Sequence, residues 1–310
     1  MKVVVGSASK ELGKCISNKP GINESLVQIS RYADNEINVR VTRDLFNQEV
    51  CVIQSTSSPV NDNLMELLLI VDSIKRVGAK KITAIIPYYG YSRQDRVIKD
   101  GHISALSAKL VANMIETAGV NRVIVIDLHS SQIEGFFNIP VDNLSCFEVF
   151  IDCVEKKDLA IVAPDVGAIG RVRSFARSVE TRYNIELGDK IVVIDKYREQ
   201  AGVSQVMNVI GEVANKNCVI VDDIVDSGGT LCNAAAELKN RGAKSVVACI
   251  THGVLSGNAV EKINSSALDK LIVTDTIFSK FAKNDKIEFV SIANVLTNFI
   301  LEAQGDNHAH

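Results

Sequence analysis

Two adjacent aspartates and a glycine-rich turn are the residues of this chain whose types and spacing are best suited to chemistry. Residues 218–221 have the apolar pattern of a short buried strand, and Asp222 and Asp223 stand where that strand is expected to end. A turn then leads into a helix expected over residues 231–241. The turn consists of Asp226, Ser227, Gly228, Gly229 and Thr230.

The turn is suited to binding a phosphate group. Its glycines allow the backbone to close tightly, and the amides at a helix N-terminus attract an anion. Ser227 and Thr230 add hydroxyl donors. The two preceding aspartates would bind sugar hydroxyls or a hydrated Mg²⁺ beside that phosphate. No Gly-Lys-Thr follows, so the pattern is not a Walker motif, and the alternative interpretation is an ordinary turn with two surface aspartates.

Charged residues follow four other strands of the predicted sheets. Ligands in open α/β sheets bind beyond the carboxyl ends of the strands, so these residues are expected to contribute to one site. The four groups are the loop 87–96 with three tyrosines and two arginines, Asp127 with His129, Asp165 with Arg171, and Asp195 with Lys196 and Arg198. Together with the turn they predict a site for a polyphosphate and a metal ion.

Each of these groups also has a structural interpretation. His129 alone is compatible with a hydrogen-bonded structural imidazole. Lys196 and Arg198 are compatible with a solvated strand edge, and the tyrosines at 88, 89 and 91 with packing. The functional interpretation depends on all of them surrounding one phosphate turn.

Short apolar strands alternate with amphipathic helices along the chain, which indicates parallel sheets covered by helices. The predicted strands are 3–5, 26–30, 50–54, 82–87, 122–127, 159–163, 191–195, 219–222, 245–250 and 270–273. The predicted helices are 62–77, 104–117, 166–183, 229–241 and 258–263. We therefore predict an α/β fold of two similar domains, each a mainly parallel sheet flanked by helices.

A weak internal similarity supports two related halves. Residues 76–84 resemble residues 240–248, since in both a helix ends at a glycine and a strand begins three residues later. We expect an N-terminal domain over residues 1–144 and a C-terminal domain over residues 145–291. The last amphipathic stretch, about residues 292–303, is expected to pack back on the first domain.

Composition indicates a soluble globular protein of the cytoplasm. The chain has 310 residues, of which 46% are hydrophobic and 23% charged, and its net charge of −3 gives no electrostatic footprint for nucleic acid. Its seven cysteines include no CxxC pair, so reduced core cysteines are expected rather than a disulfide framework or a zinc site. No apolar run is long enough to span a membrane.

Four segments carry a resemblance to a known family. They are Gln54–Leu68, Ile86–Arg96, Ile126–His129 and Asp222–Thr230. In this order they resemble the ribose-phosphate pyrophosphokinase family, also called phosphoribosyl pyrophosphate synthetases, over nearly the whole chain. The resemblance implies a phosphoribosyltransferase-like fold and transfer of the diphosphoryl group of ATP to ribose 5-phosphate, with Mg²⁺. The products would be 5-phosphoribosyl 1-diphosphate, the precursor for nucleotide biosynthesis, and AMP.

The resemblance also implies roles for the residues near the turn. Asp226–Thr230 would cradle the 5-phosphate, and Asp222 with Asp223 would hold the ribose hydroxyls and nearby Mg²⁺. His129 and Asp165 would orient the Mg²⁺ on the ATP phosphates.

Further roles concern ATP and the transferred group. Arg93, Gln94 and Arg96 would bind ATP. Lys196 and Arg198, on a flap, would stabilise the charge of the transferred group as the catalytic residues.

The family completes its adenine pocket with a segment from a neighbouring subunit, which implies a homo-oligomer, hexameric or dimer-based, with a shared active site. That segment corresponds here to Tyr32, Ala33, Asp34, Asn35 and Glu36. Tyrosine keeps a ring for stacking, and Asn35 tolerates the left-handed backbone that a glycine would prefer.

Three stretches depart from the family pattern. In the flap, Tyr197 and Glu199 replace an arginine and a proline, while Lys196 and Arg198 keep the first and third cations. Val166 and Ala168 replace an imidazole and a glycine of the loop that follows Asp165. Residues 97–106 are longer and less basic than in the family, so we expect regulation by phosphate and ADP to differ.

Two alternatives to an active enzyme stand beside this interpretation. One is a catalytically silent regulatory subunit that associates with synthetases, and the other is a phosphoribosyltransferase. Retention of Lys196, Arg198, His129 and Asp165 favours the enzyme over the silent subunit. A phosphoribosyltransferase would not explain the loop 87–96.

Overall fold

The structure is a computed structural model that describes residues 1–98, 101–187, 191–197, 206–278 and 285–305. For residues 196–197, 206–207 and 303–305 it describes the backbone only. The strands are β1 (Lys2–Val5), β2 (Asn23–Glu24), β3 (Val27–Arg31), β4 (Ile37–Val41), β5 (Glu49–Ile53), β6 (Lys81–Ile86), β7 (Arg122–Ile126), β8 (Val141–Leu144), β9 (Leu159–Ala163), β10 (Val192–Tyr197), β11 (Val206–Ile210), β12 (Asn217–Val225), β13 (Ser245–Gly253), β14 (Lys270–Thr274) and β15 (Ile287–Val290). The helices are α1 (Lys10–Ser17), α2 (Val60–Val77), α3 (Ser107–Ala118), α4 (Phe147–Ile151), α5 (Ile169–Tyr183), α6 (Gly229–Asn240), α7 (Ala259–Ser265) and α8 (Ala293–Gly305).

The chain divides into two compact units. Unit 1 comprises Met1–Ser145, Thr276–Phe278 and Ser291–His310, and unit 2 comprises Cys146–Asp275 and Ser279–Val290. Helix α8 thus belongs to unit 1, where the Arg122 guanidinium lies 5.6 Å from the ring centroid of Phe299. Its Leu296 and Ile300 are buried.

Unit 1 is built on a parallel sheet with the strand order β2-β1-β5-β6-β7-β8. Apolar side chains of this sheet and of α2 and α3 form its core. Strands β3 and β4 form a separate antiparallel hairpin, in which Val27 pairs with Val41 and Arg31 with Ile37. One hairpin face packs the partly buried Val27, Ile29, Val39 and Val41 on the core.

Unit 2 is built on a sheet with the order β11-β10-β9-β12-β13-β14-β15. All its pairings are parallel except that of β10 with β11. The chain passes from β9 to β10 on one side and later returns to β12 on the other side of β9. The direction of winding therefore reverses between β9 and β12, which is where ligands bind in such sheets.

The predicted fold class and all ten predicted strands are confirmed, with shifts at their ends. The stretch 26–30 is a strand, but it belongs to the hairpin and not to the parallel sheet. The sequence interpretation missed β2, β4, β8, β11, β15, α1 and α4. These elements are short, and most missed strands lie at sheet edges, where the apolar pattern is weak.

The pattern 166–183, predicted as one helix, begins instead as a 3₁₀ turn at Val166–Ala168 and continues as α5. Among the described residues, no helix is both long and apolar enough to cross a membrane.

Candidate functional site

The two adjacent aspartates lie inside strand β12 and not at its end. The prediction that the strand ends at the two aspartates is wrong, because β12 continues to Val225 through pairing with β13. The pairing of β12 with β9 stops at Ile220, whereas its pairing with β13 continues to Val225. The interpretation as surface aspartates is wrong for Asp223, whose side chain is only 6% exposed, while that of Asp222 is 23% exposed.

Arg171, in the first turn of α5, contacts both carboxylates. Its Nη1 atom lies 3.3 Å from Asp222 Oδ1 and 3.1 Å from Asp223 Oδ1. Asp222 Oδ1 also accepts a hydrogen bond of 2.9 Å from the Asp223 amide. The sequence placed Arg171 after a strand but gave it no role.

The pKa of Asp222 is raised to about 8. Burial disfavours the charged carboxylate, and the neighbouring Asp223 adds like-charge repulsion and a side-chain hydrogen bond. Arg171 opposes this rise with its positive charge. The Asp222 carboxylate is therefore suited to a cation or to hydroxyl donors.

The phosphate turn follows directly and has the geometry expected of an anion site. Gly228 is the N-cap residue of α6, and its φ of 75° and ψ of −10° lie in the left-handed region that favours glycine. Gly228 has no side chain to cap the first amides, so the positive end of α6 is suited to an anion. Ser227 and Thr230 are exposed beside it.

The loop after β13 holds this turn in place. The amides of Val254 and Leu255 donate to the Val225 carbonyl oxygen, over 3.0 and 3.1 Å. The Ser256 amide donates to the Asp226 carbonyl oxygen over 3.1 Å, and the Ser256 hydroxyl donates to the Asp226 carboxylate. The turn is thus fixed before any ligand binds.

Asp165 begins the 3₁₀ turn at the carboxyl end of β9. Its Oδ1 atom accepts a hydrogen bond of 3.1 Å from the Ala168 amide. The Asp165 side chain is exposed, as is Val166. An exposed carboxylate at this position is suited to a hydrated cation.

The segment assigned to adenine binding forms the exposed tip of the β3–β4 hairpin. The amide of Tyr32 donates to the Glu36 carbonyl oxygen over 2.9 Å, and the Asn35 amide donates to the Tyr32 carbonyl oxygen over 3.0 Å. Asn35 has a φ of 72°, and the Asp34 carboxylate accepts from the Glu36 amide. The Tyr32 side chain is 59% exposed, as a stacking ring requires.

The tyrosines of the loop 87–96 divide between packing and surface. Tyr88 and Tyr89 are buried, and the Tyr89 hydroxyl donates to the Ala108 carbonyl oxygen. The packing interpretation is therefore correct for these two. Tyr91 is partly buried and has a φ of 66°.

The three residues assigned to ATP in this loop are exposed: Arg93, Gln94 and Arg96. Gln94 is fixed near the start of α3, where its Oε1 accepts from the Ser107 hydroxyl and its carbonyl oxygen accepts from the Ala108 amide. The loop thus combines exposed arginines with buried tyrosines that anchor it.

His129 is exposed beyond the end of β7. The buried Asp127 just before it has a φ of 39° and donates its amide to the Leu144 carbonyl oxygen. The Leu128 amide donates to Asn143. These bonds turn the chain so that the imidazole leaves the sheet.

The predicted catalytic cations and the regulatory stretch lie partly outside the described residues. Lys196 lies in β10, where its backbone pairs with Met207, while Arg198 lies outside the described residues. Residues 99–100 of the regulatory stretch also lie outside them.

Unit 1 contains a buried polar network that was not predicted from the sequence. The Glu66 carboxylate accepts from the Ser7 amide and hydroxyl, both at 2.7 Å, and from Gln54 Nε2 at 2.8 Å. Gln54 Oε1 accepts in turn from the Ala8 amide. A Cβ at Gly6 would stand 2.3 Å from Gln54, so glycine is required there. The segment 54–68 was quoted only for its resemblance.

Within the described parts of the chain, no group of three or more His, Cys, Asp or Glu side chains is arranged to hold a metal ion. Mg²⁺ is usually bound through one or two carboxylates together with substrate phosphates and waters. The carboxylates of Asp165, Asp222 and Asp223 fit that chemistry. The imidazole of His129 fits it less well, because Mg²⁺ prefers oxygen ligands.

Comparisons with known proteins agree with this arrangement. A model of the N-terminal domain of ribose phosphate pyrophosphokinase matches residues 1–119, and a model of the phosphoribosyl synthetase-associated domain matches residues 198–306. The structure is similar to the crystal structure of phosphoribosylpyrophosphate synthetase from Mycobacterium smegmatis, with a TM-score of 0.88, 32% identity and coverage of 98% of this chain and 99% of that one. Fold and site thus define a two-unit α/β phosphoribosyl synthetase.

Curated relatives narrow the class to one family. The chain is 45% identical over 302 residues to the ribose-phosphate pyrophosphokinase of Brucella melitensis, covering 96% of this chain and 94% of the relative. It is 44% identical over 313 residues to that of Ralstonia nicotianae, covering 99% and 96%. The chain belongs to the ribose-phosphate pyrophosphokinase family.

Proposed function

We propose that this protein is a ribose-phosphate diphosphokinase that transfers the β,γ-diphosphoryl group of ATP to ribose 5-phosphate. The 1-hydroxyl oxygen of the sugar attacks the β-phosphorus, the bond from that phosphorus to the oxygen of the α-phosphate breaks, and AMP leaves. The hydroxyl proton is released. The observation that carries the proposal is the turn Asp226–Thr230 with two carboxylates beside it, at the reversal point of the unit 2 sheet.

We assign the sugar phosphate to unit 2. The 5-phosphate binds the outward amides of the first turn of α6, with Ser227 and Thr230 as hydroxyl donors. Asp222 and Asp223 accept hydrogen bonds from the ribose hydroxyls. Carboxylates suit this task because each oxygen accepts more than one hydrogen bond.

We assign ATP to residues of unit 1. Arg93 and Arg96 neutralise phosphate charge, and Gln94 supplies an amide. The ring of Tyr32, with Asp34, Asn35 and Glu36, contacts the adenine of ATP bound to a neighbouring copy. The exposure of this hairpin tip supports the proposal of a homo-oligomer, dimer-based or hexameric, with shared active sites.

Mg²⁺ supplies charge neutralisation on the phosphates when bound. We propose that Asp165 and His129 would orient it on the ATP phosphates. Asp222 and Asp223 would contribute carboxylates from β12, the strand that pairs with β9.

Lys196 and Arg198 are proposed as the catalytic cations. Diphosphoryl transfer needs positioning and stabilisation of the charge that develops on the phosphate oxygens. Strand β10 lies next to β9, so it brings Lys196 to the same edge as Asp165.

The seven free cysteines support a reducing, cytoplasmic location.

The proposal is tested by ³¹P NMR of the purified protein with ATP, ribose 5-phosphate and Mg²⁺, with and without inorganic phosphate. We expect AMP together with a new sugar-linked diphosphate. The arm without phosphate reports whether activation differs from the family's usual pattern. No product in either arm, from protein that binds ATP, would reject the enzyme in favour of the silent regulatory subunit.

A further inference from the structure

Arg171 contacts the carboxylates of two consecutive residues of β12, Asp222 and Asp223. Consecutive side chains of a strand point to opposite faces of the sheet, so Asp222 and Asp223 would ordinarily diverge. Here the carboxylates of both lie within 3.3 Å of one guanidinium nitrogen. The Asp222 carboxylate turns along the strand to the Asp223 amide, which brings it to the same side as its neighbour.

Burial makes this contact important for the geometry of the carboxylates. The exposed fractions of the three side chains are 16% for Arg171, 23% for Asp222 and 6% for Asp223. Two carboxylates at this depth repel each other and lose hydration, so without a cation they would protonate or separate. A guanidinium presents several donors in a fixed plane and therefore fixes direction as well as charge.

Helix α5 holds Arg171 independently of the carboxylates. Val172, Phe175, Ala176 and Val179 of this helix are buried. The guanidinium therefore reaches β12 from an anchored backbone. A change at position 171 should leave the helix in place, which makes its local effect measurable.

We propose that Arg171 is a positioning residue for ribose 5-phosphate, which holds the carboxylates of Asp222 and Asp223 in the directions that accept the ribose hydroxyls. It acts through these carboxylates, whose main ligand in the proposed function is the sugar. The inference rests on the proposed function and adds a residue and a task to its sugar site.

The test compares R171M, R171K and the matched control R177M in steady-state kinetics. R171M keeps much of the side-chain length and loses the charge, R171K keeps the charge and loses the planar donors, and Arg177 is an exposed arginine of the same helix. We expect R171M to raise the KM for ribose 5-phosphate about 10- to 100-fold, as for other residues that orient a ligand-binding group. R171K should recover part of this loss, and R177M should match the wild type.

The KM for ATP separates positioning from a general structural role. We expect it to stay within twofold in all three variants, with melting temperatures of R171K and R177M close to that of the wild type. An unchanged KM for ribose 5-phosphate in R171M, or equal rises for both substrates in R171M and R171K, would overturn the inference. If R171M fails to fold, R171K decides alone, because it keeps the charge.

Calorimetric titration with ribose 5-phosphate in the absence of ATP distinguishes failure of this inference from failure of the proposed function. A wild-type protein that binds the sugar phosphate more tightly than R171M supports the inference even before turnover is measured. Equal binding by both overturns it while leaving the function intact. A wild-type protein that forms no product from ATP and ribose 5-phosphate would reject the function itself.

Discussion

The two units share one strand plan but use the equivalent turn differently. In unit 1, β5 leads through residues 54–59 into α2, and in unit 2, β12 leads through the phosphate turn into α6; both strands lie beside the point where the winding of the sheet reverses. The turn of unit 1 is bound by its own unit, through Gln54 and the buried Glu66. The turn of unit 2 presents an N-terminus and two carboxylates.

The comparison teaches that the fold alone does not make the site. The same reversal of winding gives a closed polar network where Gln54 and Glu66 satisfy the local donors. It gives the proposed binding site where a left-handed Gly228 begins α6 beside Asp222, whose pKa is raised. The internal similarity of 76–84 and 240–248 falls on equivalent elements, the ends of α2 and α6 with the strands β6 and β13.

The largest effect is expected when the proposed catalytic charge of Lys196 is removed. K196A should lower kcat by about 10²- to 10³-fold, because a lysine charge that acts in the transition state is worth several kcal/mol there. The KM for ATP should change little. Steady-state kinetics with both substrates measure this, and K244A, at an exposed lysine of unit 2, is the control. A loss confined to the KM for ATP would contradict the assignment.

Removing the Glu66 carboxylate, which binds Gln54 at the start of the unit 1 turn, should lower stability and leave sugar binding unchanged. E66A leaves the Ser7 amide and the Gln54 side chain without their acceptor, at a cost of about 1–3 kcal/mol per buried group. Thermal unfolding should show a lower melting temperature, whereas the KM for ribose 5-phosphate should stay within twofold. E11A, at an exposed residue of unit 1, serves as control. If E66A weakened ribose 5-phosphate binding at full stability, the two turns would not differ as described.

The two glycines of the phosphate turn should respond differently to alanine. G228A forces a side chain into φ 75°, at a cost of about 1–2 kcal/mol, although nothing lies closer than 3.5 Å to the added Cβ. G229A adds a Cβ with nothing within 4 Å and should keep the wild-type melting temperature. Calorimetric unfolding of both variants measures the difference. Equal melting temperatures would show that the left-handed conformation does not hold the turn.

The last expected effect concerns the pH dependence of stability. The pKa of Asp222 is raised to about 8 by burial and by Asp223, so between its unfolded value near 4 and about 8 the folded state binds more protons than the unfolded state. Its contribution to stability is fully present below pH 4 and is lost as the pH rises through 8. The slope is at most about 1.4 kcal/mol per pH unit.

D222N provides the reference for this measurement because its amide does not titrate. The melting temperature of the wild type should fall relative to that of D222N as the pH rises from 4 to 8, measured without Mg²⁺ or substrate. A wild type that gains stability over this range relative to D222N would contradict the raised pKa.

Local patterns predicted the turn, its helix and the strands that precede it. Glycines, hydroxyls and carboxylates in the order of residues 222–230 determine a tight phosphate turn through short-range geometry, and each buried strand carries its own apolar run. The exposure of the hairpin tip at Tyr32 also agrees with its predicted role in stacking.

Contacts between residues that lie far apart in the sequence could not be predicted. Arg171 meets Asp222 across 51 residues of sequence, and Glu66 meets Ser7 across 59. The extension of β12 past Asp222 depends on its pairing with β13, which no pattern inside the strand reveals. Whether a turn is closed by its own unit or left open is therefore decided by side chains that lie elsewhere in the chain.

The most direct test of this account is hydrogen exchange of the wild-type protein, measured by mass spectrometry with each ligand alone. Ribose 5-phosphate should protect amides of the phosphate turn and the first turn of α6, and leave residues 54–59 unchanged. The α,β-methylene analogue of ATP with Mg²⁺ should protect residues 32–36 and 93–96. Protection of 54–59 by ribose 5-phosphate, without protection of the phosphate turn, would contradict the central claim that only the unit 2 turn is an open site.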